Sequence, residues 1–187
     1  MINPHNYKLA AILGRWQPAH LGHQAALHAL CEQFGQVIVG IGSSNIHNYR
    51  NPFTLDQVRD MLLLILEDYD NFKLTPIPDT MDDRQWCEFV TDNFGKPDRF
   101  VTANPYVKSL LNKEFSIAHP SEFIPEEKKV PVSGTMVRRE MARGDGWKEF
   151  VSPKISAYIL ENKLDESFRQ KFGLQILALD SIIIETQ

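Results

Sequence analysis

The sequence has few of the features that mark secreted, membrane or nucleic-acid-binding proteins. Only two cysteines, Cys31 and Cys87, occur among its 187 residues, too few for a disulfide framework. No apolar run approaches the roughly 20 residues of a membrane-spanning helix, and the N-terminal residues lack the pattern of a signal peptide. A long basic block is also absent and the net charge is −4, which argues against extended nucleic-acid binding. We therefore expect a cytoplasmic protein that binds neither membranes nor nucleic acid.

Apolar residues, by contrast, make up 43% of the chain, which is ample for a hydrophobic core. A length of 187 residues predicts one domain of common size with a small appendage. Because the net charge of the chain is negative, an anionic ligand would have to be bound by a local cluster of donors.

The N-terminal part of the chain predicts a strand, a helix and a second strand. Residues 9–13 form a short apolar run typical of a buried parallel strand, and Leu27, Leu30 and Phe34 share one face of the following helix. Residues 37–41 give the second strand, so the unit is βαβ with a right-handed crossover. Further strands are predicted at residues 72–77, 98–102 and 114–119. The predicted class is therefore α/β, a Rossmann-like parallel sheet flanked by helices, with ligands at the carboxyl ends of the strands.

The stretch after the first strand, residues 14–23, has the sequence GRWQPAHLGH. Its histidines, His20 and His23, are three residues apart and therefore lie on one face of a helical turn. A helix N-terminus offers unpaired N–H groups and a favourable dipole to anions, so both imidazoles could contact one phosphate. Ordinary exposed or core histidines are the alternative from spacing alone. A zinc site is less favoured, because no further ligands cluster nearby.

A second motif, VSGTMVRR, occupies residues 132–139. Ser133 and Thr135 are residue types that cap helix N-termini, which leaves backbone N–H groups for a polyphosphate. Arg138, one turn further on, can point toward the same phosphates, whereas Arg139 fits a solvated surface charge as well. Residues 42–54 form a polar segment after the second strand that either lines the ligand crevice or is an ordinary loop.

The GRWQPAHLGH stretch resembles the HxGH signature of the nucleotidylyltransferase superfamily. Its extended form is similar to that of the archaeal-type nicotinamide-nucleotide adenylyltransferases, which also form the N-terminal half of bacterial fusions with a Nudix hydrolase domain. Residues 132–139 resemble the ISGTxxRR segment of that family, and residues 40–43 and 51–54 match its GIGS and NPFT-like segments. The resemblance covers about residues 8–162 and implies the nucleotidylyltransferase (HxGH) fold.

This resemblance implies an ATP site with a catalytic set of two histidines and two arginines. His20 and His23 would hold and polarise the transferring phosphate, while Arg15 and Arg138 would offset charge on the bridging and leaving oxygens. Mg²⁺ would bridge the polyphosphate, with no metal ligand supplied by the chain. The residues expected to contact ATP are Gly14, Arg15, Gln17, His20, Gly22, His23, Ser133, Thr135 and Arg138.

The second substrate implied by the resemblance is nicotinamide mononucleotide (NMN). Trp86 follows the strand-end sequence IPD at about the family spacing, and the family stacks such a tryptophan on the nicotinamide ring, although aromatic residues at helical spacing are more often core. Asn104 matches the family's Gly-Asn pair, but Ala103 replaces its glycine. The residues expected to bind NMN are Trp16, Gly42, Ser43, Asn51, Phe53, Asp79, Trp86 and Asn104.

The implied reaction is transfer of AMP from ATP to NMN, giving NAD and pyrophosphate. Since the family is commonly oligomeric, a homo-oligomer is expected. One alternative is another nucleotidylyltransferase of the same fold, acting on phosphopantetheine or flavin mononucleotide (FMN). The other is a non-catalytic module that binds ATP or NAD and reports to a partner, which the complete phosphate-transfer set argues against.

Residues 1–163 are predicted to form the nucleotidylyltransferase domain and residues 164–187 a C-terminal extension. Residues 164–173 fit a charged helix or linker, and the apolar run at residues 176–184 predicts a strand. That strand resembles the first strand of a truncated Nudix domain; alternatively, it docks on the domain or pairs between subunits. No Nudix box follows it, so no hydrolase activity is expected.

Overall fold

The computed structural model describes the backbone of residues 8–185 and the side chains of residues 8–180. The chain divides into two compact units: unit 1 comprises residues 1–15, 25–46 and 66–129, and unit 2 comprises residues 16–24, 47–65 and 130–187. The α-helices of the described residues are α1 (Leu21–Gln33), α2 (Leu55–Ile65), α3 (Asp83–Phe94), α4 (Pro105–Leu111), α5 (Gly134–Arg143), α6 (Pro153–Glu161), α7 (Leu164–Phe168) and α8 (Leu174–Glu185).

Unit 1 contains a five-stranded parallel sheet, as the sequence predicted for the class. Its strands are β1 (Leu9–Gly14), β2 (Gln36–Gly42), β3 (Phe72–Ile77), β4 (Arg99–Val101) and β5 (Ile117–Ala118). They lie in the order β3-β2-β1-β4-β5 and every neighbouring pair is parallel. The direction of winding reverses at β1, and parallel sheets bind ligands beyond the carboxyl ends of their strands at such a switch point. The end of β1 leads directly into the GRWQPAHLGH stretch.

Apolar side chains from the sheet and from α3 and α4 form a core cluster in unit 1. Asp82 caps α3 by accepting the N–H of Arg84 at 2.6 Å, and Gly95 ends the helix with a φ of 63°, a conformation that glycine adopts without strain. The buried members of the cluster are Ala11, Ile77, Val90, Phe94, Phe100, Leu111 and Phe115.

Unit 2 is helical in its described part. Helix α2 packs against α6, where the Tyr158 hydroxyl donates to the Asp60 carboxylate at 2.7 Å, and α5 packs against α7 and α8. Ser152 caps α6, and Pro153 occupies its first turn. The buried apolar side chains of this unit include Val58, Met61, Leu62, Val137, Met141, Trp147, Ile155, Ile159 and Phe168.

The prediction of a strand at residues 176–184 is wrong, because these residues lie in α8. Leu, Gln and Ala at positions 174–179 favour a helix, and a short apolar run does not by itself distinguish the two states. Helix α8 also brings Asp180 to α5, where it pairs with Arg139 at 2.6 Å and with Arg143 at 3.4 Å. Arg139 is therefore an ion-pair partner of α8 rather than a solvated charge. None of the described helices is long and apolar enough to cross a membrane.

Candidate active site

The two motif histidines stack on each other at the start of α1. Their ring centroids are 3.5 Å apart and their planes are inclined by 17°. Nδ1 of His20 accepts the backbone N–H of His23 at 3.3 Å, and Nδ1 of His23 accepts the backbone N–H of His20 at 3.4 Å. This exchange is that of a capping box, so the histidines satisfy two of the N–H groups that a helix start leaves unpaired.

The same hydrogen bonds determine which nitrogen of each neutral ring carries the proton, and burial keeps both rings neutral. Because both Nδ1 atoms accept, a neutral ring must carry its proton on Nε2. Burial, and then the charge of Arg138, lower the pKa of His20 to about 4. Burial, and then His20, lower the pKa of His23 well below its ordinary value, against the opposing effect of the Pro18 carbonyl. Both rings are therefore neutral at neutral pH, and the Nδ1 contacts leave Nε2–H as the donor of each ring.

Trp16 supports this pair from the side. It is 2% exposed and contacts the His23 ring edge-on, with the centroids 4.7 Å apart. Its φ of 57° lies in the left-handed region, which is uncommon for a residue other than glycine. Trp16 was expected to bind NMN; its side chain contacts a predicted catalytic histidine, and its contact with NMN stays a prediction.

Gln17 joins the histidine turn to the segment before α2. Its Nε2 donates to the carbonyl of Phe53, and the N–H of Phe53 donates to its Oε1, both at 2.9 Å. Gln17 is 6% exposed and Phe53 is 3% exposed, so these two hydrogen bonds lie in a buried environment. The carboxamide of Gln17, which was expected to contact ATP, is thus engaged at both ends by the backbone of Phe53.

Arg138 approaches the same turn from α5. Its Nη1 donates to the backbone carbonyl of Gln17 at 2.6 Å, and its Nη2 donates to Oγ1 of Thr135 at 3.3 Å. The residue is 6% exposed. Ser133 caps α5 as predicted, since its Oγ accepts the N–H of Met136 at 3.3 Å. Thr135 is the second predicted cap, but it lies within α5. Its hydroxyl accepts a hydrogen bond from the guanidinium of Arg138 instead.

Two glycines allow these close approaches. A Cβ on Gly134 would lie 3.0 Å from Nη1 of Arg138 and 3.2 Å from the carbonyl oxygen of Gln17. A Cβ on Gly22 would lie 3.3 Å from the His20 ring and from the Val132 side chain. A side chain at either position would push its neighbours by a few tenths of an ångström, so glycine is favoured there by packing rather than by backbone conformation. Gly134 and Val132 lie outside the predicted set of site residues.

The segment between β2 and α2 carries two further residues of the predicted NMN set, Asn51 and Phe53. Asn51 is 4% exposed, and its N–H and C=O exchange hydrogen bonds with Asn48 at 3.0 and 3.1 Å. Thr54 and Gln57 begin α2 with a capping box. The side chains of Asn51 and Phe53 are buried, so contact with NMN through either side chain stays a prediction.

In unit 1, four predicted residues lie at the carboxyl ends of β1 and β2. Gly14 ends β1 and the exposed Arg15 follows it, Gly42 ends β2, and Ser43 follows with a φ of 52°. Gly42 lies close to β1, because a Cβ there would be 3.5 Å from the Gly14 carbonyl oxygen.

Asp79 lies beyond β3, and its backbone is held by Asn45, which lies outside the predicted set of site residues. Asn45 Nδ2 donates to the carbonyl of Asp79 at 2.9 Å, and the N–H of Asp79 donates to Asn45 Oδ1 at 2.8 Å. Asp79 itself is exposed. An asparagine in a turn-rich segment is too common for its sequence alone to have revealed this role.

Trp86 and Asn104, the remaining predicted NMN residues, are attached to the helices of unit 1. Trp86 is partly buried in α3 and packs against the core cluster of unit 1. Asn104 is exposed and caps α4, its Oδ1 accepting the N–H of Tyr106 at 2.9 Å. Each residue therefore has a structural role in its own unit, and the ligand contacts of both stay predictions.

Comparison with known proteins identifies relatives over most of the chain. The Cytidylyltransferase-like family model matches residues 11–140. The nicotinamide-nucleotide adenylyltransferase of Thermococcus kodakarensis is 32% identical over 161 residues, which are 83% of this chain and 84% of that protein.

Among solved structures, the chain resembles a bifunctional NMN adenylyltransferase/ADP ribose pyrophosphatase from Francisella tularensis, with a TM-score of 0.70 and 21% identity. The match covers 96% of this chain and 55% of that one, so the chain spans about half the length of the bifunctional protein. A second structure of the Francisella protein, with a TM-score of 0.69 and 20% identity, is a complex with AMP and a manganese ion, matched over 96% of this chain and 54% of that one. At these identities the two structures show that the fold is shared.

Proposed function

The chain belongs to the Cytidylyltransferase-like family and, within it, to the nicotinamide-nucleotide adenylyltransferases, and from this membership we propose how its residues transfer AMP from ATP to NMN. The enzyme forms NAD and pyrophosphate, a step of NAD biosynthesis. The 5′-phosphate oxygen of NMN attacks the α-phosphorus of ATP, a new P–O bond forms, and the bond from the α-phosphorus to the bridging oxygen breaks. A phosphate monoester is already an anionic nucleophile, so no general base and no covalent enzyme intermediate are needed.

Catalysis of this kind depends on positioning and on stabilising charge in the transition state. His20 and His23 supply two neutral Nε2–H donors for the oxygens of the α-phosphate, and their mutual hydrogen bonds fix the orientation of both rings. Arg138 supplies positive charge beside His20, and after burial it is the second cause that keeps that histidine neutral. Arg15, exposed at the end of β1, is the second cation of the proposed set.

The observation that carries the assignment of roles is the reciprocal histidine pair. An i, i+3 pair of ordinary surface histidines would be hydrated and protonated near its usual pKa. Here burial lowers the pKa of both rings and both Nδ1 atoms are occupied by the helix backbone. This leaves Nε2–H as the donor of each ring, which suits an enzyme that must bind a phosphate without titrating at neutral pH.

Mg²⁺ is the proposed metal, and it would enter as part of the Mg–ATP substrate. Among the described residues, no group of three or more His, Cys, Asp and Glu side chains could hold a metal ion. The donor set of the site, N–H groups and guanidinium, suits phosphate oxygens rather than a cation. A metal bound to the polyphosphate would neutralise part of its charge, while the chain binds the remaining phosphate oxygens.

The closest rival is an adenylyltransferase that acts on phosphopantetheine or FMN, and the other is a nucleotide sensor without catalytic activity. The test is NAD formation by the purified protein with ATP, Mg²⁺ and NMN, run beside nicotinic acid mononucleotide, phosphopantetheine and FMN. We expect product from the pyridine nucleotides and none from the other two acceptors. Adenylylation of phosphopantetheine or FMN alone, or ATP binding without any product, would refute the proposal.

A homo-oligomeric state and a cytoplasmic location stay predictions. The same holds for a domain boundary at residues 163/164 and for the Nudix origin of the C-terminal extension, whose predicted strand is a helix.

A further inference from the structure

The ladder between β2 and β3 continues past the ends of both strands. Its last strand pair is Gly42 with Ile77. Beyond this pair, the N–H of Ser44 donates to the carbonyl of Ile77 at 3.2 Å. The next residue of β3, Pro78, has no N–H, so the following donor on that side is the N–H of Asp79.

The side chain of Asn45 accepts the hydrogen bond from that N–H. Its carboxamide accepts the N–H of Asp79 at 2.8 Å and donates to the carbonyl of the same residue at 2.9 Å. A carboxamide has the same donor and acceptor as a peptide group, so this pair replaces the next rung of the ladder after the two backbones have diverged. The backbone of Asp79 is thereby fixed to the loop that follows β2.

We call the two hydrogen bonds between Asn45 and Asp79 an amide clamp. Two residues of the proposed NMN site lie on the two sides of this clamp. Ser43 is two residues before Asn45, in a turn closed by the N–H of Ile46 donating to the Ser43 carbonyl at 3.0 Å. Asp79 is the residue that the clamp holds. We propose that Asn45 is a positioning residue for NMN, which holds the Asp79 backbone and the Ser43 turn in the arrangement that receives the mononucleotide. This inference rests on the proposed function.

Unit 2 contains a second amide clamp, formed by Gln17. There, too, one side-chain carboxamide exchanges two hydrogen bonds with the backbone of one residue, and that residue, Phe53, also belongs to the proposed NMN set. A two-way amide clamp thus holds one predicted NMN residue in each unit. Gln17 is buried, whereas Asn45 is exposed, so substitution of Asn45 leaves the core intact and is the cleaner test.

The experiment compares the wild-type protein with Asn45→Ala. We expect the KM for NMN to rise about tenfold, the loss expected when two exposed hydrogen bonds that organise the site are removed. The KM for ATP and kcat should change less than about twofold, and the dissociation constant of NMN from calorimetry should rise in parallel with its KM. Asn162→Ala is the matched control: Asn162 is also exposed, and its carboxamide donates to the Tyr158 carbonyl at 2.9 Å at the end of α6.

The outcomes separate this inference from the proposed function. An active wild-type protein with an unchanged KM for NMN in Asn45→Ala would overturn the role of Asn45 alone. Equal rises in both KM values, accompanied by a melting temperature lower than that of Asn162→Ala, would reduce Asn45 to a stabilising residue and also overturn it. A wild-type protein that forms no NAD from NMN would instead overturn the proposed function.

Discussion

His20 and His23 each hold the other's backbone N–H through Nδ1, at 3.3 and 3.4 Å, so the rings that would bind phosphate are also the cap of α1. Capping and catalysis can be separated at position 20, because asparagine is among the best N-cap residues. We expect His20→Ala to lose both stability, by about 1 kcal/mol, and turnover. His20→Asn should retain most of the stability and still lose turnover. Denaturation and initial-rate measurements on both variants test this separation.

His23→Ala removes one Nε2–H donor from the proposed phosphate site. We expect kcat to fall by at least about 10²–10³-fold, the usual cost of removing one preorganised donor to developing charge. Binding of ATP should change much less, because the remaining donors still hold the ground state. Turnover within about threefold of the wild-type value, a loss far below that range, would remove His23 from the phosphate site.

The low pKa of His20 predicts a specific dependence of stability on pH. The unfolded side chain titrates near 6.5 and the folded one at about 4, so the unfolded state binds more protons between these values. The stability contributed by the neutral ring is therefore complete above pH 6.5 and is lost as the pH falls toward 4. The shift corresponds to about 3 kcal/mol. Urea denaturation from pH 7 to 4 should show this loss, and His20→Asn should show a shallower slope; parallel slopes would contradict it.

Gly134 gives a test of the contact between Arg138 and Gln17. A Cβ at this position would lie 3.0 Å from Nη1, so Gly134→Ala must displace the guanidinium or the turn. We expect kcat/KM for ATP to fall by about tenfold or more, the scale of a displaced charged hydrogen bond. Gly173→Ala is the control, because its Cβ would meet only the Arg169 side chain at 3.7 Å, an ordinary contact. Equal effects of the two substitutions would show that the close approach is unimportant.

Trp86 has both a predicted ligand and observed core contacts, and its variants separate them. Loss of a cation–π contact with nicotinamide predicts a rise of about threefold to thirtyfold in the KM for NMN in Trp86→Ala. Phe89→Ala, on the same helix and packed against the same cluster, should lose stability without that rise. Trp86→Phe should retain most of the packing. A loss of stability in Trp86→Ala with an unchanged KM for NMN would make Trp86 a core residue only.

Much of the fold was predictable because its signals are local. Buried parallel strands appear as short apolar runs, and β3 has the predicted bounds, residues 72–77. The capping box of Thr54 with Gln57 and the glycine that ends α5, Gly144, depend on residues only a few positions apart, so their signals are local as well. The order of the strands was not predictable, since it depends on which distant segments pack together. The C-terminal helix was missed because a short apolar run fits a strand or a helix equally well.

The site was predictable at the level of motifs but not of contacts. The spacing of His20 and His23 predicted that both rings would share one face, but not that each would cap the other. Thr135 looked like a cap and binds Arg138 instead, and Gln17 uses its amide on Phe53, because side-chain partners depend on segments far apart in sequence. Asn45 has no local signal for the same reason.

The measurement that tests the central claim most directly is the release of pyrophosphate from ATP and Mg²⁺, with and without NMN, with NAD quantified in the same reaction. We predict that pyrophosphate release requires NMN, that one NAD forms for each pyrophosphate, and that His23→Ala loses both together. Release of pyrophosphate without NMN, or release that does not yield NAD, would contradict direct transfer of AMP to the mononucleotide.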